Sequence, residues 1–305
     1  MTKHTKVKNV LTLKAALEIA EKNGFAIGSF SPRYTPMIRP ILRAGEKTKS
    51  PLIIQISQKE LERYGITPTE FAKQFYKDVE EEQITVPVVL HLDHTKVFSV
   101  IEEAIEAGFT SVMIDASEKE LAENIAISKE IVDYAHEKGV SVEAELGKIG
   151  TTDFVETDKD EELFTDPNEA ERFVNETGCD ALAVSVGTAH GVYVVRQPKV
   201  DLERLRQIRN RSDVHLVLHG GSGVPAEMVK AAIALPNGGI SKMNIATDLE
   251  LSLLAALGRE ERMTNTECKA LVKEDLELGQ QAVEKTVVEK IEHFLGSADK
   301  AEKFA

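Results

Sequence analysis

The chain has little cysteine, a deficit of basic residues and no long apolar run, and each shortage argues against a class of protein. Two cysteines in 305 residues, Cys179 and Cys268, suggest no disulfide framework, so a reducing, cytoplasmic compartment is the simplest expectation. Lys and Arg number 37 against 51 Asp and Glu, a formal net charge of −14. That balance argues against nucleic acid as a partner, because holding a polyanion takes clustered Lys and Arg. A small phosphorylated ligand stays open, since a few backbone N–H groups at a helix N-terminus can hold one. No apolar stretch approaches the length that spans a bilayer, so no membrane partner is expected. Met1-Thr-Lys-His-Thr-Lys-Val-Lys8 leads into an amphipathic helix pattern, not an apolar signal core. Low-complexity tracts and inter-domain linkers are missing too.

What is present is an alternation of strand-like and helix-like segments. Thr12 can cap a helix that runs through Ala20 and stops at Asn23-Gly24. Strand patterns follow at 25–30, 52–56, 86–92, 110–114, 140–145, 181–186, 214–219 and 239–245. Helical patterns lie between and after them at 36–48, 68–80, 97–107, 118–138, 168–176, 201–211, 225–234 and 247–258. Strands apolar at nearly every position suit a parallel sheet covered on both faces. Eight strand–helix units without an antiparallel hairpin signal predict an α/β fold, a (β/α)8 TIM barrel. A closed barrel uses a chain of this length as one domain, so residues 1–305 read as a single domain with a C-terminal helical extension from about 259. The extension reads as a packed, solvated tail or as a subunit contact. The acidic stretch 146–166 after the fifth strand is too long for an ordinary connection and stands where barrel enzymes carry mobile loops.

Three histidines end apolar strand-like runs: His94, His190 and His219. Catalytic groups of a parallel barrel gather at the C-terminal strand ends, and three neutral imidazoles with one open position are a common set for a catalytic divalent metal. A core or supporting role is the usual fate of a lone histidine and is expected for His4, His136, His215 and His293; His91 is expected to orient a neighbour. Asp93 either accepts a hydrogen bond that fixes an imidazole tautomer or acts as a general acid/base. Adjacent strand residues point to opposite faces, so Asp93 and His94 share a site only if the strand has broken into its loop. Glu143 and Glu145, two apart, face the same side, into the barrel. Glycine-bearing turns at His190-Gly191 and Gly220-Gly221-Ser222-Gly223, with Asn244-Ile-Ala-Thr247 before the last barrel helix, could cradle a phosphate with backbone N–H groups. Phosphate sites of barrels usually follow strands seven and eight.

Six segments carry a family resemblance: Val86-Pro-Val-Val-Leu-His-Leu-Asp-His94, Gly108-Phe-Thr-Ser-Val-Met-Ile-Asp115, Val140-Ser-Val-Glu-Ala-Glu-Leu-Gly147, Gly187-Thr-Ala-His-Gly-Val-Tyr193, Leu216-Val-Leu-His-Gly-Gly-Ser-Gly223 and Lys242-Met-Asn-Ile-Ala-Thr247. From about residue 12 to about 255 the chain resembles the class II, metal-dependent ketose-bisphosphate aldolases, the family of fructose-bisphosphate and tagatose-bisphosphate aldolases. The resemblance implies a zinc ion on His94, His190 and His219 with Glu145 near it. It implies that Asp93 moves the proton of the aldehyde-derived oxygen. Gly191, Gly220, Ser222, Ala246 and Thr247 would hold the phosphate of dihydroxyacetone phosphate, with Asn244 at its hydroxyl end. Gly191 and Gly220 would also lie near a monovalent cation, Na+ or K+, and Ser57 would face the far end of the sugar. A homodimer or homotetramer is expected by resemblance alone.

Three departures fall where the family recognises the rest of its substrate. The loop after the fifth strand, usually Gly-Gly-x-Glu-Asp, reads Gly150-Thr-Thr-Asp153-Phe, so Asp153 stands for the carboxylate acting at the nucleophilic carbon, with Glu156 as the alternative. Phe-Asn-x-x-Asn after the first strand becomes Phe30-Ser-Pro-Arg-Tyr34; Arg33 is either an exposed, solvated side chain or a guanidinium for the distal phosphate. Asp-Pro-Arg-Lys-Tyr is absent around Leu271-Val-Lys-Glu-Asp275. The expected activity is cleavage of fructose 1,6-bisphosphate to dihydroxyacetone phosphate and glyceraldehyde 3-phosphate. The alternatives are tagatose bisphosphate, a deoxy or sulfonated sugar phosphate, a metal-dependent isomerase or epimerase, and a ligand-binding relative without catalysis.

Overall fold

An apolar strand covered on both faces needs helices on one side and other side chains on the other, and closing the sheet on itself supplies both. The computed structural model describes residues 7–149, 163–191 and 198–305. Eight parallel strands close in chain order into a barrel: β1 (Ile27–Phe30), β2 (Leu52–Ser57), β3 (Val88–Thr95), β4 (Ser111–Ile114), β5 (Ser141–Leu146), β6 (Ala181–Val184), β7 (His215–Leu218) and β8 (Ile240–Ile245). Every strand expected from the sequence is present, some shorter by a residue or two. The helices are α1 (Leu13–Lys22), α2 (Ile38–Thr48), α3 (Gln58–Tyr64), α4 (Pro68–Glu81), α5 (Phe98–Ala107), α6 (Leu121–Glu137), α7 (Pro167–Thr177), α8 (Leu202–Arg209), α9 (Ala226–Ile233), α10 (Thr247–Ala256), α11 (Asn265–Lys269) and α12 (Lys273–Lys290). Helix α3 is the one the sequence pattern missed. At seven residues it is too short to show a periodicity, although its capping box, Ser57 with Glu60, is legible.

The barrel interior is divided by height. Its lower layer is apolar, with Ile27, Ile53, Val89, Met113, Ala181, Ala183 and Val217 packed on Leu13 and Leu17 of α1, which closes the bottom. Nearer the C-terminal ends of the strands the interior residues are polar and buried: Ser29, Gln55, His91, Asp93, Glu143, Glu145 and Asn244. Alternation along each strand puts them on the interior face. The outer strand faces and the inner faces of the surrounding helices form one large apolar cluster, which also takes in Val283, Val287, Ile291 and Leu295 of the C-terminal extension. Helix α12 lies against α2 and α10, and the extension thus packs onto the barrel.

Strand β3 corrects one expectation. It does not break before His94 but carries an extra residue between Leu92 and Thr95 relative to β4. His94 takes a positive φ of 31° there. Such a bulge re-aims one side chain without ending the strand, and it is what puts Asp93 and His94 at the same cavity. His190 also differs from its expected place, since it stands in the loop beyond β6.

Candidate active site

His94 on the β3 bulge, His190 in the loop after β6 and His219 directly after β7 bring one ring nitrogen each within 4.8 Å of the others. Two of the rings are turned by a neighbouring carboxylate. His94 Nδ1 lies 3.0 Å from Asp115 Oδ2, which leaves Nε2 facing His190 Nε2 at 3.3 Å. His219 Nε2 bonds Glu143 Oε1 at 2.9 Å, which leaves Nδ1 facing Glu145 Oε2 at 3.3 Å. His219 Nδ1 and Glu145 Oε2 are buried and neither makes a hydrogen bond. Buried polar atoms without partners are rare. Three converging imidazole nitrogens beside a bare carboxylate oxygen fit a divalent ion of zinc type.

The electrostatics agree with a cation at this point. Burial works against protonation of His94, yet the Asp93, Asp115 and Glu145 carboxylates together raise its pKa to about 10. Burial and then the charges of His94 and His219 take His190 down to about 3. The pocket thus stabilises positive charge beside the carboxylates, at His94, and disfavours it at His190.

Asp93 is held differently from the way the first of its two readings supposed. Asp115, not Asp93, accepts the hydrogen bond that orients His94. Asp93 instead receives Gln55 Nε2 at 3.2 Å on one oxygen and Asn244 Nδ2 at 3.1 Å on the other. Gln55 is itself oriented by the Ser29 hydroxyl, which donates to its Oε1. Burial alone would raise the Asp93 carboxyl; the charges of His94 and Lys242 outweigh it and hold the group below its ordinary value. It is a carboxylate fixed by two amide donors, with the cavity before it.

That cavity, of about 750 Å³, opens at the C-terminal end of the barrel. Asp93, His94, Glu145, His190, Gly191, Gly220, Ser222, Asn244, Ala246, Thr247, Ser57 and Arg33 all line it. His219 lies behind them, its ring centroid 4.5 Å from that of His94. Asp153 and Glu156 lie outside the described residues. The glycine turns meet as expected after β7 and β8. Gly221 N donates to Asn244 O at 3.0 Å, and the Ser222 hydroxyl accepts from Asp248 N at the start of α10. Gly220 has φ +65°, and a Cβ there would stand 2.3 Å from Ala189 O. Only glycine lets the two loops approach so closely.

Arg33 is not the exposed, solvated side chain of its plainer reading. It is 8% exposed, with φ +60°, and its guanidinium meets Glu60 at 3.2 Å and, more closely, Glu250. Glu250 also accepts from Tyr64 and Arg262. Glu60 accepts from the Ser31 and Ser57 hydroxyls. The cavity wall beside Ser57 therefore presents a compensated arginine and a carboxylate.

Sequence reasoning assigned no role to Asp115, Gln55, Glu60 or Lys242. Asp115 directly follows β4, at the height of the β3 bulge that carries His94, so the strand-end rule could have found it. Gln55 and Lys242 alternate with apolar residues on buried strands, and a polar side chain there must serve a partner. Among the expected supporting histidines, His91 bonds Ser111 Oγ at 2.8 Å, His136 bonds Asp180 at 2.8 Å and His215 bonds Glu21 at 2.9 Å.

Comparison with known proteins points the same way. The family model described as fructose-bisphosphate aldolase class-II matches residues 11–300. The chain is 37% identical over 297 residues to the fructose-bisphosphate aldolase of Geobacillus stearothermophilus, covering 96% of this chain and 99% of that one. It is 36% identical over 303 residues to the fructose-bisphosphate aldolase of Helicobacter pylori, covering 92% and 96%. The fold matches the crystal structure of the YdjI aldolase from Escherichia coli K12 with a TM-score of 0.80 at 32% identity, over 96% of this chain and 99% of that one. With its barrel, its histidine cluster and these relatives, the chain belongs to the class II fructose-bisphosphate aldolase family, a family of lyases acting on phosphorylated sugars.

Proposed function

We propose that this protein cleaves fructose 1,6-bisphosphate reversibly to dihydroxyacetone phosphate and glyceraldehyde 3-phosphate. One observation carries the reading: three histidine nitrogens converge at the same cavity as a carboxylate, Asp93, that two amides hold in place. His94, His190 and His219, with Glu145 beside them, would hold one zinc ion, whose Lewis acidity draws negative charge from the bond-breaking centre. Asp93, ionised and held by Gln55 and Asn244, takes the proton from the hydroxyl that becomes the aldehyde, and returns it in the reverse direction. Asp153, or Glu156 in its place, serves proton transfer at the carbon left behind.

Phosphate binding falls to Gly191, Gly220, Ser222, Ala246 and Thr247. Ala246 caps α10 without a side-chain acceptor of its own, and a helix N-terminus favours an anion. Asn244 meets the hydroxyl end of the same three-carbon half, and Gly191 and Gly220 border a monovalent cation, Na+ or K+. The chain acts as one barrel domain, as a cytoplasmic homodimer or homotetramer.

The far end of the cavity supports a second reading. Arg33 is already bound by two carboxylates, and Glu60 occupies the Ser57 hydroxyl. This favours another phosphorylated ketose, such as tagatose bisphosphate or a deoxy or sulfonated sugar phosphate, over the default. Both readings are tested by release of dihydroxyacetone phosphate from fructose 1,6-bisphosphate with and without chelator. Chelator-sensitive release supports the default. A zinc-loaded protein that releases none from this sugar, but does so from another ketose phosphate, supports the second. Release that survives full removal of metal overturns both.

A further inference from the structure

Lys242 is the only Lys or Arg at 0% exposure among the described residues. It stands on β8 inside the barrel, in register with Val217 of β7. It does not line the cavity, so it is no nucleophile toward a substrate carbonyl. Its ammonium is engaged twice, by Glu143 Oε2 at 2.8 Å and by Asn244 Oδ1 at 2.6 Å. Each acceptor passes the constraint on.

Glu143, with one oxygen on Lys242, offers the other to His219 Nε2 at 2.9 Å. A carboxylate acceptor there keeps the proton on Nε2 and leaves the Nδ1 lone pair facing the cluster. Asn244, with its carbonyl on Lys242, must turn its NH2 to Asp93, which it meets at 3.1 Å. The flipped amide would set an NH2 against an ammonium and a carbonyl against a carboxylate.

We propose that Lys242 is a positioning residue that couples the two halves of the site: one buried cation fixes both the tautomer of His219 and the donor that holds Asp93. The proposal rests on the aldolase reading for Asp93, and on the histidine cluster alone for His219. Removing Lys242 alone leaves the Glu143 carboxylate buried without its cation, which costs stability as well, so the test needs readouts that a purely structural lysine would not move.

The test uses the full chain with Lys242→Met and the near-isosteric Lys242→Gln, each checked for folding by circular dichroism. Two quantities are read: zinc affinity by competition with a chromophoric chelator, and kcat and KM for cleavage at saturating zinc. For Lys242→Met, zinc affinity is expected to fall about 10- to 100-fold, the usual effect of losing a group behind a ligand. At saturating zinc, kcat is expected to fall by a similar factor with KM nearly unchanged. Lys242→Gln keeps an N–H donor and should recover part of either loss. If Lys242→Met does not fold, Lys242→Gln must itself show both losses, in smaller measure. Wild-type zinc affinity and kcat in a folded variant overturn the proposal, and so does a change confined to only one of them. A wild-type protein that binds zinc and cleaves no ketose phosphate refutes the aldolase reading instead, and the zinc arm still decides the role of Lys242 at His219.

Discussion

His94 turns one ring nitrogen to Asp115, at 3.0 Å, and the other to His190, at 3.3 Å. The carboxylate accepts a hydrogen bond from Nδ1–H, so the Nε2 lone pair is left pointing into the cluster. A ligand is thereby set before any metal arrives. Asp115→Ala should weaken zinc binding about 10- to 100-fold while leaving the fold in place. Competition with a chelator measures this, and unchanged affinity would remove Asp115 from the site.

His190 has a sharper expected phenotype. His190→Ala removes one of three nitrogens, and losing about 4 kcal/mol of charge stabilisation slows a reaction roughly a thousandfold. Cleavage should fall at least that far with an unaltered circular dichroism spectrum. A variant with near-normal activity and metal content would sink the ligand assignment.

Gly220→Ala should disturb two things at once. The new Cβ would stand 2.3 Å from Ala189 O at a φ of +65°, and left-handed backbone alone costs an alanine about 1–2 kcal/mol. The Ala189 carbonyl belongs to the residue before His190, so the displaced loop carries a ligand with it. A lowered melting temperature together with reduced zinc content is the expected pair. Wild-type values of both would show that the loops yield freely.

Arg33→Ala should act on stability before it acts on substrate. The guanidinium compensates Glu60 and Glu250, and breaking a buried ion pair from one side costs about 3–5 kcal/mol. Denaturant titration measures the loss. Unchanged stability with a raised KM would instead make Arg33 a substrate ligand free of its carboxylates.

Both cysteines should be inert in the folded protein. Burial pushes the Cys179 and Cys268 thiols up to about 12, so only about one in ten thousand is a thiolate at pH 8. Iodoacetamide at that pH should label neither until the protein is unfolded. Rapid labelling of the native protein would contradict their burial.

Much of the backbone was legible because its determinants are local. Apolar runs such as Leu52-Ile-Ile-Gln-Ile56 and Val88-Val-Leu90 fix strands through neighbouring residues, and the stop at Asn23-Gly24 ends the first helix where it occurs. The histidines were legible for the same reason, since a strand end is a local feature and a parallel barrel places all such ends together. Helix α3 was not, because seven residues make too few turns to show a period.

By itself the sequence determined the eight strand–helix units, the glycine turns and the three histidines at one end of the barrel. Only the tertiary structure decided which carboxylate serves which imidazole. Asp115 rather than Asp93 orients His94, because an extra residue in β3 against β4 re-aims the ring. It also decided that Arg33 is buried, because its two partners come from α3 and from α10, and that Lys242 joins Glu143 to Asn244 across the interior. Apart from Lys242 with Asn244, two residues along the same strand, these pairings join residues distant in the chain. Their distances are set by closure of the sheet and the shape of its loops, which no local pattern of residues contains.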